Sequence, residues 1–329
     1  MAKAVRFDEL GGPEVLKLVD VDVRQPGPEE VQLRVEAVGL NRAESMYFHG
    51  RYMEQPKLPS GLGYEVVGIV EAVGPGGDAS LIGKRFGTIP GYSQNRYPSL
   101  AETAIVPAGS LAALPEGLSP VECAAVWMQY TTAYGALVFF GQVGKGDFVI
   151  IPAASSSVGL AAIQITKAEG ATSIATTRTS QKRNELLELG ADYVIATEEE
   201  DLPARVAEIT SGKGARIIFD PVAGPFVQTL AKACAQEGTI YLYGLLSGQP
   251  TPFPLMEALG KGVSLSAYTL HQLSSHPERI AEAKRYIFER LADGRFHPKV
   301  ARVFPLAEVQ EAYRYLESNE QVGKIVITV

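Results

Sequence analysis

Between the short apolar run Asp147-Phe148-Val149-Ile150-Ile151-Pro152 and an amphipathic helix lies Ala153-Ala154-Ser155-Ser156-Ser157-Val158-Gly159. Small residues at such a turn let backbone approach a pyrophosphate, and the free N–H groups of the following helix attract its charge. The pattern is a reduced Gly-x-Gly-x-x-Gly: Ala154 and Ser156 stand at the first two glycine positions, and only Gly159 remains. Hydroxyls of Ser155, Ser156 and Ser157 can donate to phosphate oxygens. A serine-rich cap on an ordinary helix is the competing reading.

The next strand, Thr172-Ser173-Ile174-Ala175-Thr176-Thr177, ends in Arg178-Thr179-Ser180-Gln181-Lys182-Arg183. A site for NAD places Asp or Glu there, about 20 residues after the turn, to hold the ribose 2′-hydroxyl. No acid stands at this strand end. Thr177, Arg178 and Lys182 instead suit a 2′-phosphate, which a carboxylate would repel. This favours NADP(H) over NAD(H); a solvated basic turn is the alternative.

These residues need a scaffold, and the pattern supplies one. Helices over Val158–Glu169 and Gln181–Leu189 alternate with strands at Tyr193–Ile195, Ile217–Phe219 and Ile240–Tyr243, which predicts an α/β fold with a doubly wound parallel sheet. Before about residue 125 the chain reads as short strands and turns. Val31–Val38 alternates apolar and polar residues; Val66–Val73 is a continuous apolar strand ending in Gly74-Pro75-Gly76-Gly77. This predicts a barrel-like β unit. Beyond 268 the expectation is helices over Pro277–Ala292 and Ala307–Leu316 and a last strand from Lys324 to Val329.

The bulk properties bound the function. The 329 residues are 46% hydrophobic and 20% charged, with a net charge of −7, which suits two globular domains and argues against nucleic-acid binding. Two distant cysteines, Cys123 and Cys234, make neither a disulfide framework nor a Cys-rich zinc lobe. No apolar stretch is long enough for a bilayer and no signal-like segment follows Met1, so the expectation is a cytoplasmic protein without membrane contact.

Gly39-Leu40-Asn41, Pro59-Ser60-Gly61-Leu62-Gly63-Tyr64-Glu65, Thr131-Thr132-Ala133-Tyr134-Gly135-Ala136-Leu137, Ala153–Gly159, Gly190-Ala191-Asp192, Asp220-Pro221-Val222 and Gly323-Lys324-Ile325-Val326 run from end to end of the chain. Together they resemble the medium-chain dehydrogenase/reductase superfamily, and within it the zinc-free, zeta-crystallin-like quinone oxidoreductases. The resemblance implies a Rossmann NADP(H)-binding domain over 126–268. It also implies a GroES-like, mostly β catalytic domain over 1–125 plus 269–329. A homodimer is implied too, with Val263–Tyr268 as the pairing edge strand.

Zinc-dependent members of that superfamily hold the metal with Cys and His at positions that match Asn41, Tyr64 and Met128, none a good zinc ligand in this setting. His49, His271, His276 and His297 have no metal-like spacing. Alcohol oxidation needs a Lewis acid to stabilise alkoxide, whereas a quinone or enone delocalises the anion formed by hydride addition. The expected substrate is therefore a small quinone or α,β-unsaturated carbonyl. Enoyl-thioester reduction and a non-catalytic role remain the alternatives.

The resemblance assigns Asn41, Tyr64 and Tyr130 to catalysis, with Tyr64 as candidate donor, and Met46, Tyr47, Tyr52, Met128 and Gln129 to the substrate pocket. For the cofactor it implies Thr132, the turn Ser155, Ser156, Ser157, Val158 and Gly159, and Thr177, Arg178 and Lys182 at the 2′-phosphate. Val222, Gly244, Leu245, Leu246, Tyr268, Thr269 and Leu270 are expected along the rest of the dinucleotide. Lys324 is expected near the pyrophosphate. Glu65 is expected to be structural.

Overall fold

A computed structural model describes residues 1–329. The chain divides into two compact units, Met1–Met128 with Ser274–Val329, and Gln129–Leu273.

The first unit is built on a seven-stranded sheet. Its long strand Glu30–Gly39 buries one face by alternation, with Leu33, Val35 and Ala37 inside, and pairs antiparallel with Glu65–Val73. On its other side it takes the C-terminal strand Lys324–Thr328, with Val326 opposite Gly39; Gly39 also lies opposite Glu65. Three strand ends therefore meet at one point. Gly39 is required there: a Cβ would lie 2.0 Å from the Ala124 carbonyl oxygen and 2.7 Å from Lys324 Cε. Val300–Pro305 pairs parallel with the C-terminal strand. A smaller sheet joins Ala2–Phe7 to Lys17–Val21 and Ser60–Gly61. Aliphatic and aromatic side chains from both sheets and from the helix Val309–Ser318 share one core, including Leu33, Tyr47, Phe48, Val66 and Tyr313.

The second unit is a parallel sheet of six strands: Phe148–Ile151, Thr172–Thr177, Tyr193–Ala196, Ala215–Asp220, Cys234–Leu242 and Ser264–Ala267. Numbered along the chain, their order across the sheet is 3-2-1-4-5-6, the doubly wound arrangement with its switch between the first and fourth strands. The central strands are apolar throughout, as expected for a sheet covered on both faces; Ile150, Ile174 and Ile218 are fully buried. The helices Ser157–Ala168, Leu202–Ile209 and Phe226–Ala233 supply much of the covering. No helix is long and apolar enough to cross a membrane.

The units meet at 128/129 and 273/274 rather than at 125/126 and 268/269. Met128 belongs with the first unit because its N–H donates to Glu65 Oε1 at 2.9 Å and its side chain packs on that unit's core. Tyr268 and Leu273 are buried in the second.

Candidate functional site

In a doubly wound sheet, ligands bind beyond the carboxyl ends of the strands. Five expected cofactor segments follow such ends: Ala153–Gly159 after Ile151, Thr177–Lys182 within and after the second strand, Val222 after Asp220, Gly244–Leu246 after Leu242, and Tyr268–Leu270 after Ala267. They come together at one edge of the second unit.

The turn itself is built tightly. Ala153 adopts φ +49°, a left-handed conformation in which a side chain as small as methyl is least costly. Ala154 is fully buried. Ser156 is the N-cap of Ser157–Ala168, its Oγ accepting from Gly159 N–H at 3.1 Å. Gly159 has no room for a side chain, since a Cβ would stand 2.6 Å from the Ala154 carbonyl oxygen. The one glycine left in the motif is thus the one that close helix–turn packing demands. Ser155 and Ser157 stay partly open. Lys182, in the turn after the second strand, donates from Nζ to Ser155 Oγ at 3.2 Å, bringing the basic turn onto the phosphate turn. Thr177 donates to the Thr179 carbonyl at 2.7 Å and so shapes that turn. Arg178 is exposed and forms no ion pair, whereas Arg183 is tied to Glu200, which also binds Arg205. A cradle of backbone and hydroxyls with cations on one side fits the diphosphate and 2′-phosphate of a dinucleotide.

The neighbouring turn is held by Asp220, whose carboxylate accepts from the N–H groups of Val222 at 2.8 Å and Ala223 at 3.0 Å. Burial pushes its carboxyl up to about 6, against the lowering effect of those two N–H donors. Gly244 closes on Pro221, where a Cβ would meet the carbonyl oxygen at 2.6 Å. Leu245 and Leu246 are exposed; Thr269 and Leu270 are partly buried at the start of the turn of helix His271–Ser274.

In the first unit, the three strand ends at Gly39 carry a buried polar cluster. Lys324 Nζ lies 2.5 Å from Glu65 Oε2 and 2.6 Å from Asn41 Oδ1. Asn41 opens the helix Arg42–Phe48, and its side-chain amide donates to the Gly39 carbonyl at 2.9 Å and to Glu44 Oε1 at 3.4 Å. Glu44 is fully buried and accepts from Asn41 N–H at 2.7 Å, Tyr64 N–H at 3.0 Å and the Tyr313 hydroxyl at 3.1 Å. Beside this cluster Tyr64, Tyr52 and Tyr92 form an aromatic file, with Tyr64 ring centroids 6.3 Å from Tyr52 and 5.8 Å from Tyr92. Burial drives the Tyr64 phenol far above its ordinary value, helped by Tyr52.

Glu44 makes stability depend on pH. Burial pushes its carboxyl up to about 7, against the lowering effect of Asn41 and the more distant Lys324. Between the ordinary carboxylate value and about 7, the folded state then holds more protons than the unfolded chain, so stability falls as pH rises through that window. Urea unfolding near pH 5 and near pH 8 is expected to show this slope in the native protein and a shallower one in Glu44→Gln. Asp220 leaves a residual slope of the same sign. An unchanged slope in the variant overturns the assignment.

Several of the expected site residues are held by contacts within the chain. Lys324 is 1% exposed, and its ammonium is occupied by a carboxylate and an amide of the first unit. Tyr130 is fully buried, and its hydroxyl donates to Gln164 Oε1 at 2.8 Å. Tyr47 lies in the first unit's core, its hydroxyl bonded to Ser60 Oγ at 2.9 Å and Asn95 Oδ1 at 2.8 Å. The Tyr268 ring is buried with its hydroxyl against Gly135, where a Cβ would stand 2.0 Å away; only its backbone borders the strand end. The Asn41 amide, too, is committed within the chain. Met46 and Tyr52 are partly buried, and Met128 packs on the first unit's core. Gln129, Thr131 and Thr132 are buried in the second unit, with Gln129 Oε1 and Thr131 Oγ1 lacking partners. Glu44 went unnoticed although Asn41-x-x-Glu44 is a capping-box signature.

Residues 27–116 match the family described as alcohol dehydrogenase GroES-like domain, and residues 157–286 match zinc-binding dehydrogenase. The chain is 32% identical to quinone oxidoreductase 1 of Escherichia coli strain K12, over 99% of each chain. It is 30% identical to a 2-haloacrylate reductase of a Burkholderia species, again over 99% of each. The crystal structure of Escherichia coli quinone oxidoreductase complexed with NADPH superimposes with a TM-score of 0.92 at 30% identity, covering 100% of both chains.

Proposed function

Because the chain belongs to the medium-chain dehydrogenase/reductase superfamily and, within it, to the quinone oxidoreductases, we propose that it reduces a quinone or an α,β-unsaturated carbonyl with NADPH. The observation that carries this reading is the joined pair of turns, in which Lys182 reaches Ser155 and sets a cation where an NAD site has an acid.

When bound, NADPH supplies the hydride. Ser155, Ser157 and the N–H groups at the start of helix Ser157–Ala168 hold its diphosphate, and Lys182 and Arg178 hold the 2′-phosphate. Tyr64, with Tyr52 beside it, supplies the hydroxyl donors for the oxygen on which negative charge develops. Asn41 acts one step back, fixing the helix start between Lys324 and Glu44. At the three positions where zinc-dependent relatives carry ligands, this chain offers an amide, a phenol and a thioether, a set suited to hydrogen bonding rather than to zinc.

The test is an absorbance assay of nicotinamide oxidation on EDTA-treated protein, pairing NADPH and NADH with 1,4-benzoquinone, 9,10-phenanthrenequinone, an enone and an aldehyde. Turnover of quinone or enone with NADPH that survives EDTA is expected. Activity on the aldehyde alone, or activity lost with EDTA, overturns the reading. Tyr64→Phe is expected to lower kcat on the enone by about ten- to a hundredfold with KM for NADPH unchanged. An unchanged kcat removes Tyr64 from the reaction.

We further propose a homodimer. Ser264–Ala267 is an edge strand with one side unpaired. The preceding helix Leu255–Lys261 exposes Leu255, Met256 and Leu259, at 55%, 75% and 74%, next to exposed Phe253. An open strand beside an apolar surface is a liability that a second copy removes. Met256→Glu with Leu259→Glu is expected to give a monomer by light scattering; a dimer that persists in the double variant overturns this.

A further inference from the structure

The second unit has a further concavity, at the sheet edge opposite the cofactor turns. Strands Ala215–Asp220 and Cys234–Leu242 run parallel, and their carboxyl ends lead to Val222 and to Gly244–Leu246. Their amino ends border a cavity of about 520 Å³. A strand as long as Ala215–Asp220 spans roughly 17 Å, so a ligand here is separate from the dinucleotide at the other edge. Val206, Ala233 and Cys234, all buried, give the cavity an apolar floor. Lys213, Lys232 and Lys261 line it, and no acidic side chain does.

The walls are fixed by the fold itself. Lys213 lies between Gly212 at φ +81° and Gly214 at φ +76°. Gly214 packs so closely on the next segment that a Cβ would stand 2.8 Å from Ala235 N and 2.9 Å from the Ala233 carbonyl oxygen. The carboxyl end of helix Phe226–Ala233 also borders the cavity, and free carbonyls there repel an anion. Lys261 answers them: its Nζ donates to the Lys232 carbonyl at 2.7 Å and to the Cys234 carbonyl at 3.1 Å. An ammonium has three donors, so one is left over. Lys213 and Lys232 are exposed and form no ion pair. The acids closest in sequence are turned elsewhere, Glu208 to Arg205 and Glu237 over Gly262. Three cations without a counter-charge thus share one concavity, in a chain whose net charge is −7.

We propose that this cavity is a second binding site, for a phosphate monoester with a small apolar body. Lysine binds phosphate as a point charge, and a dianion can engage more than one ammonium. The volume lies within the range of small-molecule sites and exceeds what a bare phosphate fills. Val206, Ala233 and Cys234 offer the remaining space to an apolar group, whose transfer from water adds to the charge attraction. The site binds and does not react. No hydroxyl lines it, and the one thiol, Cys234, is 2% exposed, with burial pushing it up to about 11.

The test is calorimetric titration of the full-length protein, saturated with NADPH so that the nucleotide turns are filled. Phenyl phosphate, phenol and inorganic phosphate are the separate probes. Phenyl phosphate is expected to saturate one site per chain, about tenfold or more tighter than either fragment, and to weaken as salt is raised. Lys213→Ala with Lys232→Ala is expected to lower its affinity about tenfold or more. Both lysines are exposed, so thermal unfolding and NADPH affinity are expected to stay as in the native protein. Absence of saturable binding, affinity matched by phenol or by inorganic phosphate, or affinity unchanged in the double variant overturns the proposal. Binding seen only when NADPH is left out places the ester on the nucleotide turns and overturns it equally.

Discussion

Lys324→Met is expected to destabilise the folded protein by about 3–5 kcal/mol, the usual cost of removing one partner from a buried ion pair. The substitution keeps most of the side chain's bulk but strands Glu65, which is 1% exposed and lies 2.5 Å from the lysine nitrogen. Glu65 keeps only its second contact, the N–H of Met128 at 2.9 Å. Asn41 Oδ1 loses its donor as well. Pairing Lys324→Met with Glu65→Gln is expected to recover part of the loss, because the stranded charge is then gone. Urea unfolding of both variants decides the matter. A single variant within about 1 kcal/mol of the native protein would mean the pair contributes no more than a surface salt bridge.

The second large effect concerns cofactor choice. Arg178→Ala with Lys182→Ala is expected to weaken NADPH binding by about a hundredfold or more, since each charge-assisted hydrogen bond contributes about 1.5–3 kcal/mol. NADH binding is expected to be nearly unchanged, so the preference for NADPH disappears. Arg183→Ala is the control. Its guanidinium is held by Glu200, so losing it alters local packing and leaves the NADPH-to-NADH ratio as it was. Fluorescence titration with each nucleotide reads both values. Equal weakening of NADPH and NADH in the double variant would place the 2′-phosphate elsewhere.

Much of this was legible in the sequence, for physical reasons. The alternation in Val31–Val38 and the apolar runs Phe148–Ile151 and Ile217–Phe219 are local records of how each strand is buried, and they mark real strands. The strand Cys234–Leu242 begins well before its apolar run at 240–243, because Gln236, Glu237 and Gly238 interrupt the pattern and Glu237 sits at φ +56°. Val300–Pro305 gives no periodic signal, since half of it is exposed and only Phe304 is buried. The segment 153–159 was legible as a tight turn into a helix because its residues are small and Ser156 is a good cap.

The site was harder to read. Lys324 enters the Asn41 and Glu65 cluster through the register of the C-terminal strand against Glu30–Gly39, a pairing across nearly the whole chain. Nothing beside Lys324 in sequence reports it. Nor does the sequence show that the hydroxyls of Tyr47 and Tyr130 are bonded to Ser60 and Gln164.

The placement of strand Lys324–Thr328 also has a consequence for synthesis on the ribosome. That strand lies between Val300–Pro305 and Glu30–Gly39, so a sheet whose first strand starts at residue 30 also needs residues 324–328. Gln129–Leu273, by contrast, is one continuous stretch. The middle of the polypeptide can therefore mature while translation continues, whereas the Ala37–Gly39 end of the earlier strand lacks its partner until residues 326–328 have been made.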